Sequence, residues 1–426
     1  MRVLWVSTSP MGPASRILEI QQTGSSGGWI QSEYEALMRE DHSEVEMFFL
    51  CGSRSVAEGT VLRKQTEEGI AFCVNLPKIS FGKELPAAVY KNVKDVIDEV
   101  KPDVIHIWGT ESCISHGAAK AGEGIRKVVF LQGIIGIHQR YKGGYLANTE
   151  DNLPYISPDP LKTRIVTRMK RSYFKKQIAY EQYTLRNSRG VIIDNEFSEA
   201  YCKTVSPELT CYYRFLHPNT LFTEADWSYD ACQKNTIFTV FGKSTEKGMH
   251  QLLKAVAIVK ETVPDVKLII PGPFSCEGGR LKDKRRLVGF ERWMANFIEA
   301  NGLTDNVIFP GKLSPAQMVE QLQNCHMFVN PSCMECHALS LREAMTVGTP
   351  SVTSLCGSVI EYVTHNENGL IYRYEEHEML SYLIKKVLGD RAFAEHLSRG
   401  AKASMAERRA RSNCGIMDIY RDLMSQ

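Results

Sequence analysis

The sequence predicts an α/β protein of two successive domains, each a parallel sheet flanked by helices. Three observations lead there. The chain has 426 residues, close to three times the ~150 of an ordinary domain, which suits two large α/β domains and excludes one small module. Short β-branched runs alternate with helical patterns through the first half, the mark of βαβ units. After His217-Pro218-Asn219 the alternation starts afresh.

In the first half the expected strands are VLWVS at Val3, VEMFFL at Val45, VIHIW at Val104, VVFLQ at Val128 and VIID at Val191, with helical segments such as YKNVKDVIDEV between them. In the second they are TIFTVFG at Thr236, VKLIIPG at Val266, NVIFPG at Asn306, MFVNPS at Met327, PSVTS at Pro350 and GLIY at Gly369. The halves share a joint: a helix runs into Pro102-Asp103-Val104 in one and Pro264-Asp265-Val266 in the other before a buried strand begins. Thr220 to Lys234 is polar, acidic and without periodicity, as a linker between domains would be. The expected division is 1–222 and 223–404, with 405–426 a terminal helix crossing back to the first domain.

Composition bounds the chemistry. At 43% hydrophobic and 23% charged the chain is that of a folded protein. Lys+Arg 51 against Asp+Glu 49 leaves a formal charge of +2, without the basic excess that nucleic-acid phosphate demands. Twelve cysteines are irregularly spaced, and only Cys333 and Cys336 form a CxxC; lacking a second pair, they read as reduced thiols of a cytosolic protein rather than a zinc site. The start, MRVLWVSTSP, reads as a first strand and not as a signal sequence. The most apolar stretch, Val128 to Ile137, is interrupted by two glycines and a glutamine, so no run approaches the ~18 residues of a spanning helix. A soluble or peripheral protein is expected.

The most informative segment runs from Pro331 to Pro350, with Glu335 and Glu343 eight positions apart. A strand ends at Asn330, a loop carries Glu335, and ALSLREAMTV is a helix bearing Glu343 and stopped by Gly348, whose missing β-carbon suits a left-handed cap. Were the whole interval helical, it would span roughly 12 Å and return to within about 80° of one face, a separation that fits a ligand with hydroxyls at both ends. The amides of His337, Ala338, Leu339 and Ser340 open the helix and favour a phosphate. On spacing alone a solvated Glu343 is as good an account.

A second constellation, Phe241-Gly242-Lys243-Ser244-Thr245-Glu246-Lys247-Gly248, ends the first strand of the second domain. It contains GKS, but Ile237 stands where a P-loop needs its first glycine, so that phosphate cradle does not form. At an effective dielectric near 20, an ammonium ~4 Å from a phosphate oxygen contributes on the order of 4 kcal/mol, against ~0.3 to 2 kcal/mol for a helix terminus. Lys243 and Lys247 would therefore dominate diphosphate binding. In the first domain, Gly27-Gly28 follows the first strand, where open α/β sheets bind ligands.

As an ordered set these residues resemble one family, the retaining GT-B glycosyltransferases of family 4. Glu335 and Glu343 fit its Glu-x7-Glu motif, and EAMTVGTPSV at Glu343, VFGKSTEKG at Val240, NVIFPGKL at Asn306, GSVIEYVTHNENGLIY at Gly357, PDVIHIW at Pro102 and the Gly27-Gly28 loop fit in order. HIWGTE, His106 to Glu111, and LQGIIG, Leu131 to Gly136, look most like transferases of bacterial capsule and exopolysaccharide assembly.

The resemblance implies two Rossmann-like domains facing each other across a cleft, and a hexose moved from a nucleotide-diphosphate sugar to a carbohydrate or lipid-linked glycan acceptor in polysaccharide biosynthesis. It implies that Glu335 contacts the sugar hydroxyls and Glu343 the ribose, while Lys247 and Lys243 neutralise the diphosphate beside the amides of 337–340 and the glycines Gly242, Gly27 and Gly28. The family's Arg is Lys243 here, its interval to Lys247 is one residue shorter, its helix-opening Gly is Ala338, and a histidine near the donor sugar aligns with Gln132. Gln132 would donate a hydrogen bond there, and Glu111 and His138 would face the acceptor.

In retaining transfer, charge grows on the departing phosphate, so catalysis is largely stabilisation of that leaving group. No cofactor is implied, the nucleotide sugar being a co-substrate, and no metal: no Asp lies two residues from another, so the DxD metal motif of the other major glycosyltransferase fold is missing. Leu161 to Tyr180 carries seven basic residues and no acid, with Arg164, Arg168, Arg171 and Lys175 on one helical face. That face suits an anionic membrane surface, and equally a solvated face over an apolar core side. The expected place is the cytoplasm, peripheral to the membrane's inner face. Two other readings are an epimerase of the same fold, which needs no acceptor, and a non-catalytic sugar-nucleotide-binding protein.

Overall fold

Buried β-branched runs become parallel strands in both halves of the computed structural model, which describes residues 1–20, 28–76, 85–110, 112–141, 175–216, 219–240, 245–282, 287, 289–411 and 414–425. The chain divides into two compact units: Met1–Gln139 with Val166–His217 and Ser412–Gln426, and Arg140–Ile165 with Pro218–Arg411.

The first unit holds β1 (Arg2–Val6), β2 (Glu46–Ser53), β3 (Val61–Thr66), β4 (Gly69–Asn75), β5 (Val104–Trp108), β6 (Arg126–Phe130), β7 (Gly190–Ile193) and β8 (Thr210–Tyr213). They lie in the order β3-β4-β2-β1-β5-β6-β7-β8. Every neighbouring pair is parallel except β3 with β4. That antiparallel edge corrects the expectation of a purely parallel sheet. β3 reads VLRKQT, mostly polar and out of the core, so it lacks the continuous apolar run that marks a buried parallel strand.

The second unit holds β9 (Gln233–Phe238), β10 (Lys267–Ile269), the two-stranded ribbon β11 (Cys276–Glu277) and β12 (Arg280–Leu281), then β13 (Val307–Ile308), β14 (Cys325–Asn330), β15 (Ser351–Ser354) and β16 (Leu370–Tyr372). Its main sheet runs β13-β10-β9-β14-β15-β16, all parallel. In both sheets the chain starts in the middle, winds outward one way, then returns to wind the other. The winding reverses between β1 and β5 and between β9 and β14, and the carboxyl ends of strands at such reversals are where α/β sheets open a crevice.

The repeated Pro-Asp-Val joint has a mechanical role. Asp103 Oδ2 accepts the Arg2 amide at 2.7 Å, and Asp265 Oδ2 accepts the Asn235 side chain at 2.8 Å. Each aspartate ties the entry of its strand to the neighbouring first strand.

The chain passes between units at His217–Pro218, ahead of a short helix Thr220–Thr223 that buries Phe222. The tail is two helices rather than one: Arg391–Ala410 in the second unit and Ile416–Ser425 in the first. The last helix buries Ile416, Met417, Ile419, Tyr420 and Leu423. Glu40 caps it by accepting the amides of Ile416 and Met417 at 3.2 and 3.0 Å. Tyr420 accepts from the Trp5 indole at 2.8 Å, and its hydroxyl meets His106 Nδ1 at 2.8 Å. Burial, aided by Arg214, lowers the His106 pKa to about 3, so that imidazole is neutral. Among the described residues no helix is long and apolar enough to cross a membrane.

Candidate functional site

Two loops at the reversal point of the second sheet build the site. The chain leaves β9 and reaches a single 3-10 turn, Thr245–Lys247, before helix Met249–Lys260. It leaves β14 through Pro331 and Ser332 to Glu335, then enters helix Leu339–Val347. The Cys333 amide donates to the Glu246 carbonyl at 2.8 Å. Gly248, at φ 70°, approaches Pro331 so closely that a β-carbon would overlap the Pro331 carbonyl oxygen, so a left-handed glycine is needed there.

This contact brings Lys247 Nζ to Glu335 Oε1 at 2.6 Å. Glu335 is nearly enclosed, its side chain 12% exposed against 37% for Lys247. Burial works against the Lys247 charge, but the Glu335 carboxylate more than offsets it and raises the ammonium's pKa. Behind the pair, Cys333 and Cys356 are buried, and burial pushes both thiols up to about 12, so they stay neutral.

The Glu335 backbone is held as firmly as its side chain. Its carbonyl accepts the Ser358 amide at 3.1 Å, and Gly357, at φ 50°, passes too close to it for any β-carbon. Under the loop lies a set of hydroxyl and amide contacts that the sequence reading missed. Asn330 donates to Thr353 at 3.2 Å, Ser332 donates to Asn330 at 3.0 Å, and Ser354 donates to the Ser332 carbonyl. A trace of it was present in the hydroxyl-rich end of PSVTS.

Helix Leu339–Val347 begins at Ala338, buried and left-handed at φ 45°, ψ 41°, with no side chain capping it. The amides of Ala338, Leu339 and Ser340 thus open the helix with its positive end. His337 is buried, and Arg342 Nη1 faces its carbonyl at 3.5 Å. Glu343 is half-buried, and its carboxylate takes no hydrogen bond among the described residues. Burial pushes that carboxyl up to about 7, with Arg342 pulling the other way. Gly348 ends the helix at φ 84°.

The remaining predicted residues fall elsewhere. Gly242, Lys243, Gly27 and Glu111 lie outside the described residues, as does most of the basic segment; of the latter, Lys175 and Lys176 are exposed at the start of the described helix 175–186. Gly28 opens helix Gly28–Arg39. Gln132, half-buried, lies two residues beyond β6, and His138 ends the short helix Ile135–His138. Both belong to the first unit.

Residues 226–404 match the glycosyl transferases group 1 family. Among curated relatives, the uncharacterized glycosyltransferase YqgM of Bacillus subtilis is 29% identical over 157 residues, 37% of this chain and 40% of that protein. Glycogen synthase of Mycobacterium tuberculosis is 27% identical over 37% of this chain and 34% of its own. The chain thus matches about two fifths or less of the length of these two relatives. Sucrose-phosphate synthase from Thermosynechococcus elongatus superposes with a TM-score of 0.70 at 16% identity, covering 100% of this chain and 99% of that one. Anabaena Alr3699/HepE in complex with UDP gives 0.65 at 15% identity, over 100% of both chains. These likenesses establish the fold as GT-B.

Proposed function

We propose that the chain is a retaining glycosyltransferase of family 4, moving a hexose from a nucleotide-diphosphate sugar to a carbohydrate or lipid-linked glycan acceptor in polysaccharide biosynthesis. The observation that carries this reading is the meeting of Lys247 and Glu335 in the loop that leads to a helix start without a side-chain cap, the helix itself bearing Glu343, whose carboxylate takes no hydrogen bond among the described residues. A diphosphate is the ligand such a cation and such amides attract, and the two carboxylates suit hydroxyls on either side of it. The group 1 match over this half, and the UDP held by a fold neighbour, support the same ligand class.

In the mechanism, Lys247 moves from Glu335 to the diphosphate as the donor binds, and Glu335, released, accepts from the sugar hydroxyls. Glu343 accepts from the ribose in its ionised form. As the glycosidic bond to phosphate breaks, charge grows on the leaving diphosphate, where Lys247 and the amides of Ala338, Leu339 and Ser340 stabilise it without reorganising. The acceptor hydroxyl attacks from the face the diphosphate leaves, and its proton goes to the departing phosphate. Lys247 and these amides take the place of a divalent metal. Gln132 donates toward the donor sugar, and Glu111 and His138 serve the acceptor. The basic run 161–180 holds the protein at the cytoplasmic face of an anionic membrane, and flotation with anionic liposomes at low salt tests that placement.

Incubating the protein with a panel of nucleotide sugars, alone and then with glycan acceptors, tests the reaction. Transferred sugar with the donor's anomeric configuration supports the proposal. Epimerised donor without acceptor would make the chain an epimerase, and binding without turnover a non-catalytic sugar-nucleotide-binding protein.

A further inference from the structure

At the carboxyl edge of the first sheet, one carboxylate gathers four donors from three neighbouring crossovers. Glu181, on helix 175–186, is fully buried. Its Oε2 accepts from the Thr110 hydroxyl at 3.1 Å and the Ile135 amide at 2.8 Å. Its Oε1 accepts from the Gly136 amide at 3.1 Å and from the Tyr201 hydroxyl. Thr110 lies just beyond β5, Ile135 and Gly136 beyond β6, and Tyr201 on helix Glu196–Val205 after β7. All the strong acceptor sites of the carboxylate are in use.

The sequence between these points accommodates that carboxylate. A β-carbon at residue 136 would strike the Tyr201 hydroxyl, so Gly136 is what lets the phenol reach Glu181. The two amides Glu181 takes are those that open the short helix Ile135–His138. Gln132 sits three residues before Ile135 in the same loop.

We infer that Glu181 is the positioning residue of the loop 131–137: it pins that loop to the exit of β5 and so sets where Gln132 presents its amide. Its catalytic consequence rests on the transferase reading; the pin itself does not. A glutamine has the same shape, but its amide nitrogen would face two donors in place of two acceptor sites. Glu181→Gln therefore keeps the packing and releases the loop from one side, and a displacement of about 1 Å near a reacting centre costs on the order of 100-fold in rate.

The test uses the full chain and the variants Glu181→Gln, Tyr201→Phe, Gln132→Ala and Glu181→Gln/Gln132→Ala. Hydrogen exchange of the peptide covering 131–138 is expected to accelerate at least about tenfold in Glu181→Gln, and less in Tyr201→Phe, with β5 and β6 unchanged. Turnover of a nucleotide sugar is expected to fall about 10- to 100-fold in kcat with KM for the donor unchanged, and the double variant to be no slower than Gln132→Ala. Wild-type exchange in both Glu181→Gln and Tyr201→Phe overturns the pin, and rate losses that multiply in the double variant overturn its action through Gln132. Should wild-type protein turn over no nucleotide sugar, the transferase reading fails while exchange still decides the pin. Should Glu181→Gln not fold, Tyr201→Phe carries both readouts.

Discussion

Lys247 follows the first strand of the second sheet and Glu335 follows the fourth of its six, yet their charged groups meet at 2.6 Å because those strands are neighbours at the sheet's reversal point. In the proposed reaction this pair is what the donor's diphosphate must open. Lys247→Ala is therefore expected to leave the fold intact, since Lys247 is partly exposed, and to lower kcat by about 10²- to 10³-fold through loss of one charge-stabilising donor. Steady-state rates with matched circular dichroism check it; near-wild-type kcat in a folded variant sinks the assigned role.

Glu343 titrates at about 7 in the folded chain against an ordinary 4.5. The folded state holds that proton more tightly, so this group's contribution to stability falls as pH rises from about 4.5 to 7 and is level above. Glu343→Gln should accordingly raise stability at pH 8 more than at pH 5, by up to on the order of 3 kcal/mol, while abolishing turnover. Urea melts at the two pH values measure the first effect, and an equal change at both would contradict the buried carboxyl.

The same proton links to ligand. A carboxylate accepting ribose hydroxyls must be ionised, so affinity for a nucleotide-diphosphate sugar should rise with pH through about 7 in wild type and stay flat in Glu343→Gln. Titration calorimetry across pH 5.5 to 8.5 reads it, and parallel profiles for the two proteins would remove Glu343 from the ligand.

Ala338 holds φ 45° where only glycine is comfortable. A left-handed L-residue costs about 1–2 kcal/mol, so Ala338→Gly should stabilise the chain by up to about 1 kcal/mol and a β-branched Val should destabilise it by more. Denaturation midpoints with unchanged slope test this; a destabilising glycine would mean that the strain is illusory.

What could be read in advance follows the physics of each residue. The helix over 339–347, its stop at Gly348 and the loop carrying Glu335 were legible because capping and periodicity are local. The Lys247–Glu335 contact was not, since residues 88 apart meet only through strand order. The edge strand β3 escaped because four consecutive polar residues, Arg63 to Thr66, leave it without the apolar pattern of a strand. Arg342, which the sequence did not single out, is buried and lies 5.0 Å from the Tyr362 ring centroid, and no periodicity separates such an arginine from a solvated one.

The last helix is held to the first unit by buried polar contacts, so its loss should be felt there. Tyr420→Phe strips the Trp5 indole of its acceptor and His106 Nδ1 of its partner, a cost of about 1–3 kcal/mol. Removing Glu33 leaves the buried Arg214 uncompensated at the other end of the same region, and about 3–5 kcal/mol is expected. Thermal melts rank the two, and a Glu33→Ala variant milder than Tyr420→Phe would contradict the ordering.

The most direct measurement is equilibrium binding of a panel of nucleotide-diphosphate sugars to wild type, Lys247→Ala and Glu343→Ala, each verified as folded. At least one donor should bind wild-type protein and lose its affinity in both variants, since the proposed site puts Lys247 on the phosphates and Glu343 on the ribose. Undiminished affinity in both would place the ligand away from these residues and contradict the account.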